Sequence, residues 1–465
     1  MKIVMEPSGA SSRLFEQLQV GARRETVTGG YVDLRDQMLR VAAVAFLVMV
    51  VLAPLMTLNE ASLTGAGSIY RQTSYLVILG MALWAVRPLE QGLDIIAIPW
   101  PILLALGWCY LSLFWAIDPD IGFRRLLLTT ISIWTVFVLV KFGGDRVMMN
   151  ILRGALVVAL VVNYFVVFND PVVGVHLQTD ANTLTALVGN WRGIMAHKNF
   201  AGAASAILIL LFLFDAKRIP AILRLVVIVA AGYFLFRTQS KTSAGMVALA
   251  ILTGWMFQTL TRRLRNYLVP ITMIVGATIW VMTSAYRDVL ELNYLEPRAF
   301  TGRGQIWAVL ARYAGDNLAT GAGFGSFWNI GGNSPVYRYA VGFPTLVSVG
   351  HNGYLDLLVT VGVPGLCLIV FAVIVWPVWR LLSSTRITAA RGALLTALML
   401  FCLGHNVTES SIFERDALVG VLMMFAVAFA QYATPDVDQR RTKRDVGDDV
   451  LRTMRRRRRG GAKLA

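Results

Sequence analysis

Residues 195–218 have the sequence MAHKNFAGAASAILILLFLFDAKR, and this stretch decides the fold class. A predominantly apolar run over 200–214 separates the polar group His-Lys-Asn from the polar group Asp-Ala-Lys-Arg. Apolar runs of this kind suit the hydrocarbon core of a bilayer, which is about 30 Å thick. Within hydrocarbon, a helix satisfies all its backbone hydrogen bonds inside one segment. The stretch therefore predicts a membrane-crossing helix with polar groups at both ends.

The same pattern recurs along the chain of 465 residues, of which 56% are hydrophobic and only 15% charged. The mean hydropathy is +0.62. Soluble domains contain roughly 45–50% apolar and about 25% charged residues. We predict an all-α, polytopic membrane protein with about twelve transmembrane helices. The expected segments are 41–58, 73–87, 95–116, 125–141, 150–168, 199–215, 220–236, 243–259, 267–284, 353–379, 391–406 and 417–431.

The distribution of basic residues predicts the orientation of these helices, because Lys and Arg accumulate in cytoplasmic loops. With the N-terminus inside, 30 of the 43 Lys and Arg residues fall on the cytoplasmic side and 13 on the outer side. We therefore expect cytoplasmic tails at 1–40 and 432–465. The transmembrane domain covers 41–431, with a large outer loop at 285–352 before the tenth helix.

Much of the net charge of +16 comes from the last 26 residues, which include five consecutive arginines at 455–459. A basic tail beside the last membrane helix more often fixes topology or contacts anionic lipid than it binds nucleic acid. Membrane lipid is therefore an expected partner, and nucleic acid is not.

Cations on the outer side need an explanation, because the charge rule does not require them there. Arg237 and Lys241 flank a polar turn and lie four residues apart, so that they could share one helical face. Charge close to hydrocarbon is costly without a partner, and phosphate oxygens suit both side chains. The alternative is a pair that snorkels to the interface. Arg192 and Arg298, in the two long outer loops, are further candidates for binding the same anion.

Another outer cation, Arg303, stands between two glycines and precedes an apolar stripe at helical spacing over 306–313. With so little steric cover it can approach an anion closely, and the start of a helix would add backbone N–H groups. An ordinary turn before an amphipathic helix is the alternative. That helix is expected to lie on the outer leaflet or to pack on the membrane helices, and the two placements are compatible.

All four histidines also fall on the expected outer side. His351 opens a membrane helix, and cationic surroundings would favour its neutral form, which suits a general base or a hydrogen-bond donor. His197 and Lys198, together with Glu409 in the last outer turn, are candidates for binding sugar hydroxyls or phosphate. For each of these residues a purely structural role is the alternative.

The pattern Asp118-Pro-Asp120 resembles the D-x-D pattern with which some glycosyltransferases bind a divalent ion. Two carboxylates followed at once by Arg124 and Arg125 make a weak cation site, and the histidine spacings show no zinc pattern. We therefore expect neither a catalytic metal nor another cofactor.

Four segments together resemble the O-antigen ligase and polysaccharide polymerase superfamily, of the Wzy and WaaL type. They are residues 195–202 (MAHKNFAG), 240–243 (SKTS), 301–307 (TGRGQIW) and 351–365 (HNGYLDLLVTVGVPG). Each segment alone is a weak signal, but their order and shared outer placement are specific. The resemblance covers residues 95–430, and the His-Lys-Asn segment is most similar to exopolysaccharide polymerases of the succinoglycan type.

This resemblance implies a membrane fold of the GT-C type in a bacterial inner membrane, with a periplasmic active site. It also implies a donor glycan on undecaprenyl pyrophosphate, with a flippase and a chain-length regulator as partner proteins. By position, Arg303 and Lys241 would hold the pyrophosphate, and His351 would help to activate the acceptor. Ligases usually have arginine where this chain has Lys241, so that Arg237 is expected to contribute to the same site.

The activity expected from these residues is a metal-independent glycosyl transfer with inversion at the anomeric carbon. Undecaprenyl pyrophosphate is already a good leaving group, so the enzyme needs to stabilise its developing charge and to position an acceptor hydroxyl. A neutral histidine would act as the base. A polymerase would use a lipid-linked sugar as acceptor, whereas an O-antigen ligase would use lipid A core.

Two other classes of protein, a membrane transporter and a structural membrane scaffold, account for fewer of these sequence features. A twelve-helix transporter or lipid flippase would place charges near the membrane midplane and often shows internal repeats. Here the unusual charges fall on one side, and the two halves of the chain show no repeat. A structural membrane scaffold would leave the outer Arg and His residues unexplained.

Reporter fusions test the predicted topology. Alkaline phosphatase should be active when fused at residue 320 and inactive when fused at the C-terminus, because the two positions are expected on opposite sides of the membrane. A fluorescent protein that matures only in the cytoplasm should give the inverse pattern. Reporters that place both positions on the same side would contradict the map.

Overall fold

The structure is a computed structural model, and it describes residues 34–57, 68–178, 187–276, 278 and 303–432. Within these ranges the chain is all-helical, with two isolated β-bridges and no strand. The basic tail beyond 432, most of the N-terminal tail, and the first part of the loop 285–352 lie outside the described residues.

Thirteen longer helices are present in the described residues. They are α1 Leu34–Thr57, α2 Ile69–Val86, α3 Trp100–Leu111, α4 Pro119–Gly143, α5 Asp145–Asn169, α6 Lys198–Leu213, α7 Ala221–Thr238, α8 Lys241–Thr259, α9 262–276, α10 Arg303–Asp316, α11 Gly353–Ser383, α12 Ala389–His405 and α13 Leu418–Tyr432. Short helical turns cover Pro88–Gln91, Gly92–Ile96, Ser112–Trp115, Pro171–Gly174, Val336–Tyr339 and Phe343–Leu346. Each of the twelve apolar segments predicted above overlaps one of the longer helices.

Four of the described helices are long and apolar enough to cross a membrane, namely α4, α5, α7 and α11. A fifth candidate is α2 taken together with the bent segment Pro88–Ile96, which turns by 61°. The helices α3, α6, α12 and α13 are apolar but shorter. These lengths and compositions are compatible with a membrane protein.

The centre of the bundle is formed by α6, α12 and α13. Every side chain of α12 from Gly392 to His405 is buried, as is α13 from Leu418 to Ala430. Helices that are apolar on all sides belong in the interior. Gly202 of α6 lies where α8 begins, and a Cβ there would be 2.7 Å from the Cβ of Ser240. The sequence thus allows α6 and α8 to approach closely at this point.

The helix α11 is interrupted at Gly362, whose φ of 67° is readily accessible only to glycine. The loop that follows α10 packs into this break. The N–H of Val363 donates to the carbonyl of Leu318 at 2.8 Å, and the N–H of Ala322 donates to the carbonyl of Val359 at 2.8 Å. Backbone groups freed by the break are therefore satisfied by the loop, which is held against α11.

The helix α10 begins at Arg303 and packs through the apolar stripe expected from the sequence. Ile306, Val309, Leu310 and Tyr313 are buried. They form a small core with α11 and with the segment that follows α10. Of the two placements predicted for this helix, the structure shows the packed one, because the stripe faces protein.

Candidate functional site

Polar side chains from several elements meet at one end of the helix bundle. The helices α6, α8, α10 and α11 begin at this end, and α12 ends there. The connection 406–417, between α12 and α13, is hydrogen-bonded to residues at the start of all four. Because the first turn of a helix carries partial positive charge and free N–H groups, this convergence favours negative charge.

Glu409 lies at the centre, with only 4% of its surface exposed. One carboxylate oxygen accepts hydrogen bonds from Arg303 Nη2 at 2.6 Å and from Asn199 Nδ2 at 2.5 Å. The other oxygen is 3.1 Å from His351 Nδ1. A buried carboxylate is stable only when it is paired and hydrogen-bonded. We refer to these four residues as the carboxylate cluster.

The charge state of the cluster follows from these contacts. Burial by itself would raise the pKa of Glu409, but the hydrogen bond with His351 and the charge of Arg303 outweigh burial and hold that pKa well below its ordinary value. Glu409 is therefore ionised at neutral pH. Since a carboxylate only accepts hydrogen bonds, a neutral His351 carries its proton on Nδ1 and has its lone pair on Nε2.

The backbone at His351 has an uncommon conformation, with a φ of 51° in the left-handed region. Residues with a Cβ seldom adopt this region, and those that do are concentrated at functional sites. The indole of Trp307 donates to the carbonyl of Gly350 at 3.0 Å and so holds the preceding turn. The side chain of His351 remains 32% exposed, so the ring can be reached by a ligand.

Asn406 holds the backbone around Glu409. Its side-chain oxygen accepts hydrogen bonds from the N–H groups of Ser411 at 2.8 Å and Ile412 at 3.1 Å. Gly353, the first residue of α11, donates its N–H to the carbonyls of Asn406 and Glu409 at 2.8 and 3.0 Å. A Cβ on Gly353 would lie 2.6 Å from Asn406 Oδ1, so this contact requires glycine. The start of α11 is thereby locked to the segment that carries Glu409.

A cavity of about 640 Å³ lies beside the carboxylate cluster. Asp356 is part of its wall and accepts hydrogen bonds from Trp328 Nε1 at 2.8 Å and from the N–H of Gly350 at 3.0 Å. The hydroxyl of Ser410, the residue after Glu409, also donates to Asp356. Asp356 therefore joins the cavity wall to two of the chain segments that form the cluster, those that carry His351 and Glu409.

The charges that line this cavity are balanced within the protein. Arg71 pairs with Asp416 at 2.6 Å, and Arg415 pairs with Glu414 at 2.5 Å. Arg125 donates to three backbone carbonyls of the segment 325–329. The cavity thus offers polar and aromatic groups with little net charge, which suits an uncharged polar ligand.

Two lysines, Lys198 and Lys241, lie near Arg303 of the carboxylate cluster. Lys198 is within electrostatic range of both Lys241 and Arg303. Its Nζ donates to the carbonyl of Gln239 at 3.2 Å, which holds the side chain over the turn between α7 and α8. Lys241 begins α8 and is exposed. Because like charges at short range repel, an anion bound among them would be stabilised.

His197 caps the start of α6. Its Nδ1 accepts a hydrogen bond from the N–H of Asn199 at 3.2 Å, and its ring lies 5.2 Å from that of His176. Burial lowers the pKa of His197 to about 4, and the charge of Lys198 acts in the same direction, whereas Glu409 opposes both. His197 is therefore neutral at pH 7 and positions Asn199 for its contact with the cluster.

Arg192 and Arg237 stabilise the connection before α6. The guanidinium of Arg237 lies 4.5 Å from the centre of the Trp191 ring, and Arg192 donates to two carbonyls of the turn Pro171–Gly174. The chain turns through a left-handed residue between α7 and α8, so that Arg237 and Lys241 belong to different helices. The prediction that these two side chains share one helical face is therefore wrong.

Arg298 lies outside the described residues. Asp118, from the D-x-D pattern, caps α4, because its Oδ1 accepts a hydrogen bond from the N–H of Ile121 at 2.9 Å. In the part of the chain that the structure describes, no group of three His, Cys, Asp or Glu side chains is placed to hold a metal ion.

Asn199 and Asp356 stand inside the motifs at 195–202 and 351–365, but their contacts with Glu409 and with the cavity wall were not predicted from the sequence. For Asp356 a signal was available, since a carboxylate in the first turn of a predicted membrane helix needs a partner. Asn199 gave no comparable signal, because asparagine is common at the start of any helix.

No protein-family model matches this chain, and a search of curated proteins finds no match. The function has to be inferred from the geometry of the site itself. That geometry combines an oriented histidine, a group of cations and an adjacent cavity with little net charge.

Replacing Glu409 by Ala should lower the free energy of unfolding by about 3–5 kcal/mol, because it leaves the charge of Arg303 buried without its partner. The Arg303 side chain is only 18% exposed. Denaturant titration of the protein in detergent measures this loss. The double variant Glu409→Ala, Arg303→Met should recover part of it, because no unpaired charge remains.

The matched control is Glu90→Ala. Glu90 pairs with Arg87 at 2.6 Å, but both side chains are largely exposed, and such pairs contribute about 0–1 kcal/mol. Equal losses for Glu409→Ala and Glu90→Ala would show that the buried pair contributes no more to the free energy of unfolding than a surface pair does.

Proposed function

We propose that this chain is a multi-pass membrane glycosyltransferase of the GT-C type. It transfers a glycan from undecaprenyl pyrophosphate to a hydroxyl group of a lipid-linked acceptor sugar, at the periplasmic face of a bacterial inner membrane. The observation that carries the proposal is the buried, ionised Glu409, which orients His351 and binds Arg303 in one cluster. Such a cluster joins a general base to an anion-binding group.

His351 acts as the general base. Its Nε2 accepts the proton of the acceptor hydroxyl while the hydroxyl oxygen attacks the anomeric carbon of the donor. Glu409 keeps the proton of the neutral ring on Nδ1 and stabilises the imidazolium that forms. The bond from the anomeric carbon to the pyrophosphate oxygen breaks on the opposite face, so the configuration inverts. The leaving pyrophosphate keeps the electron pair, and His351 later releases its proton to solvent.

The cations Lys198, Lys241 and Arg303 stabilise the negative charge that develops on the pyrophosphate. Arg303 has five N–H donors, of which the described hydrogen bond to Glu409 uses one. Preorganised donors at a water-poor boundary act strongly on such charge. The start of α8 adds helix N–H groups at the same place.

The cavity beside the carboxylate cluster is suited to the acceptor glycan. Its volume of about 640 Å³ lies within the usual range for small-molecule sites. Trp328 and Tyr337 supply aromatic surface, and Asp356 and Ser410 supply polar groups. With its charges balanced internally, this cavity favours a neutral sugar over the anionic donor group.

The proposal includes twelve membrane crossings, with both termini in the cytoplasm. It is supported by the twelve predicted segments, each of which overlaps a helix, and by four helices of sufficient length and apolarity. The excess of basic residues assigned to one side supports the same orientation. The carboxylate cluster lies at the end of the bundle where the long outer loops are expected.

A transporter or lipid flippase is less well supported by the packing. Transport requires polar groups along a path through the bundle. The middle parts of α6 and α12 are buried and apolar, and their charged residues stand at the helix ends. An O-antigen ligase would use the same chemistry with lipid A core as acceptor. Purified protein given lipid-linked repeats would produce a ladder if it is a polymerase, whereas a ligase needs lipid A core to react.

Substitutions in the site should lower the rate of polymer formation from lipid-linked repeats. His351→Ala should cost on the order of 10²–10⁴ in rate, because the base is lost. Arg303→Ala and Lys241→Ala should each cost about 10²–10³, because one donor to the leaving group is lost. Lys241→Arg should keep most activity, since charge and reach are retained.

Arg312→Ala is the matched control for Arg303→Ala. Arg312 is an exposed cation on the same helix, α10, and its replacement should leave the rate nearly unchanged. Abundance and thermal stability of each variant are measured alongside the rate. Well-folded His351→Ala and Arg303→Ala proteins that polymerise at the wild-type rate would refute the proposed site.

Activity should persist without added divalent ions, because protein cations neutralise the leaving group. The assay compares turnover in EDTA with turnover in Mg²⁺ or Mn²⁺. Full loss in EDTA that either metal restores would shift the catalytic role to a carboxylate-bound ion.

A further inference from the structure

Asp356, in the first turn of α11, accepts hydrogen bonds from the chain neighbours of both His351 and Glu409. Its Oδ2 accepts from the N–H of Gly350 at 3.0 Å and from the hydroxyl of Ser410. Gly350 directly precedes His351, and Ser410 directly follows Glu409. A single carboxylate oxygen therefore joins the two chain segments whose side chains meet in the carboxylate cluster.

The backbone of Gly350 is held on both sides. Its N–H donates to Asp356, and its carbonyl accepts from the indole of Trp307 at 3.0 Å. A Cβ on Gly350 would collide with Oδ1 of Asp356, so the contact requires glycine. The next residue, His351, has a φ of 51°, and such a conformation persists only where the surrounding contacts determine it. The hydrogen bond to Asp356 is one of those contacts.

The other oxygen of Asp356 extends this connection to the cavity. Oδ1 accepts a hydrogen bond from Trp328 Nε1 at 2.8 Å. Trp328 lines the cavity proposed for the acceptor glycan, and its carbonyl accepts from Arg125 at 2.7 Å. An indole offers an apolar ring and a single N–H donor. That donor is used here to tie the cavity wall to Asp356.

The three donors to Asp356 are neutral groups, namely an indole, a backbone N–H and a hydroxyl. Among the residues that the structure describes, Asp356 forms no ion pair, whereas Glu409 pairs with Arg303 at 2.6 Å. Asp356 therefore gathers donors from three chain segments and does not balance a neighbouring cation. A replacement that loses the charge but keeps an acceptor oxygen is expected to preserve the contacts of Oδ2.

We propose that Asp356 is a positioning residue, which keeps His351 in contact with Glu409 and in a fixed place relative to the acceptor cavity. Oδ2 maintains the orientation of His351, and Oδ1 maintains the cavity wall at Trp328. This inference rests on the function proposed above, because it takes His351 as the base and the cavity as the acceptor site. A displacement of about 1 Å at such a base lowers the rate by about 10²-fold.

The tautomer of His351 tests this positioning without an assay of activity. Nitrogen NMR of the full-length protein in detergent, with isotope-labelled histidine and at a pH where the ring is neutral, distinguishes the two tautomers. The variant His351→Gln identifies the signal. The wild type should show the Nδ1–H form, because Glu409 accepts that proton. Asp356→Ala should populate both tautomers, and Asp356→Asn should keep the wild-type form, because the amide oxygen replaces Oδ2.

Ser410→Ala is a second variant, which removes one donor to Oδ2 and leaves Asp356 in place. It should change the tautomer population in the same direction by a smaller amount, and it decides the question if Asp356→Ala does not fold. The matched control is Asp316→Ala, since Asp316 is exposed and accepts from Tyr339 at 2.8 Å, and neither residue lines the cavity. The control should leave His351 unchanged. A single Nδ1–H tautomer in the folded Asp356 and Ser410 variants would overturn the proposal.

Polymer formation from lipid-linked repeats separates this inference from the proposed function. Asp356→Ala should lower kcat by about 10²-fold, because His351 is misplaced, and Asp356→Asn should recover most of that rate. If the wild type polymerises and His351→Ala does not, while folded Asp356→Ala matches the wild type, the proposed function stands and this inference fails. If the wild type forms no polymer, or His351→Ala matches it, the proposed function fails, and the tautomer of His351 still decides the role of Asp356.

Discussion

A carboxylate buried at the end of a helix bundle must have its charge balanced, and much of this end of the molecule is organised by that requirement. The charge of Glu409 is balanced by Arg303 from α10, and its remaining hydrogen bonds come from Asn199 of α6 and His351 just before α11. Three helices and the connection between α12 and α13 are therefore fixed relative to one another. The contact with Glu409 also sets the orientation of His351. Both the packing of these helices and the proposed catalysis therefore depend on the charge of Glu409.

The positions of the helices could be predicted from the sequence because hydrocarbon leaves a chain few conformations. The segment 243–259, for example, corresponds closely to α8, Lys241–Thr259. The segment 95–116 was too long for α3, Trp100–Leu111, because short turns occupy both of its ends. Which helices lie at the centre could not be predicted, since α6, α12 and α13 resemble the others in composition and their burial depends on neighbours distant in sequence.

The residues of the candidate site could be predicted better than their connections. The motifs indicated His351, Arg303 and Glu409, but no spacing shows that they meet. Glu409 lies 58 residues from His351 and 106 from Arg303 along the chain, and their contact arises only when α10, α11 and α12 have packed. Arg237 and Lys241 are the opposite case, because they are close in sequence but belong to different helices. The chain leaves α7 at Gln239, which has a left-handed backbone, and begins α8 at Lys241.

The break in α11 at Gly362 makes this helix depend on a segment that is synthesised before it. The carbonyl of Leu318 and the N–H of Ala322, which hydrogen-bond with Val363 and Val359, belong to residues that are synthesised before residues 359–363. Without them, the backbone groups at the break would enter hydrocarbon unsatisfied, which is unfavourable. In the proposed topology, α11 would therefore insert together with the loop that precedes it, and translocation of that loop would be a step on which insertion of the helix depends.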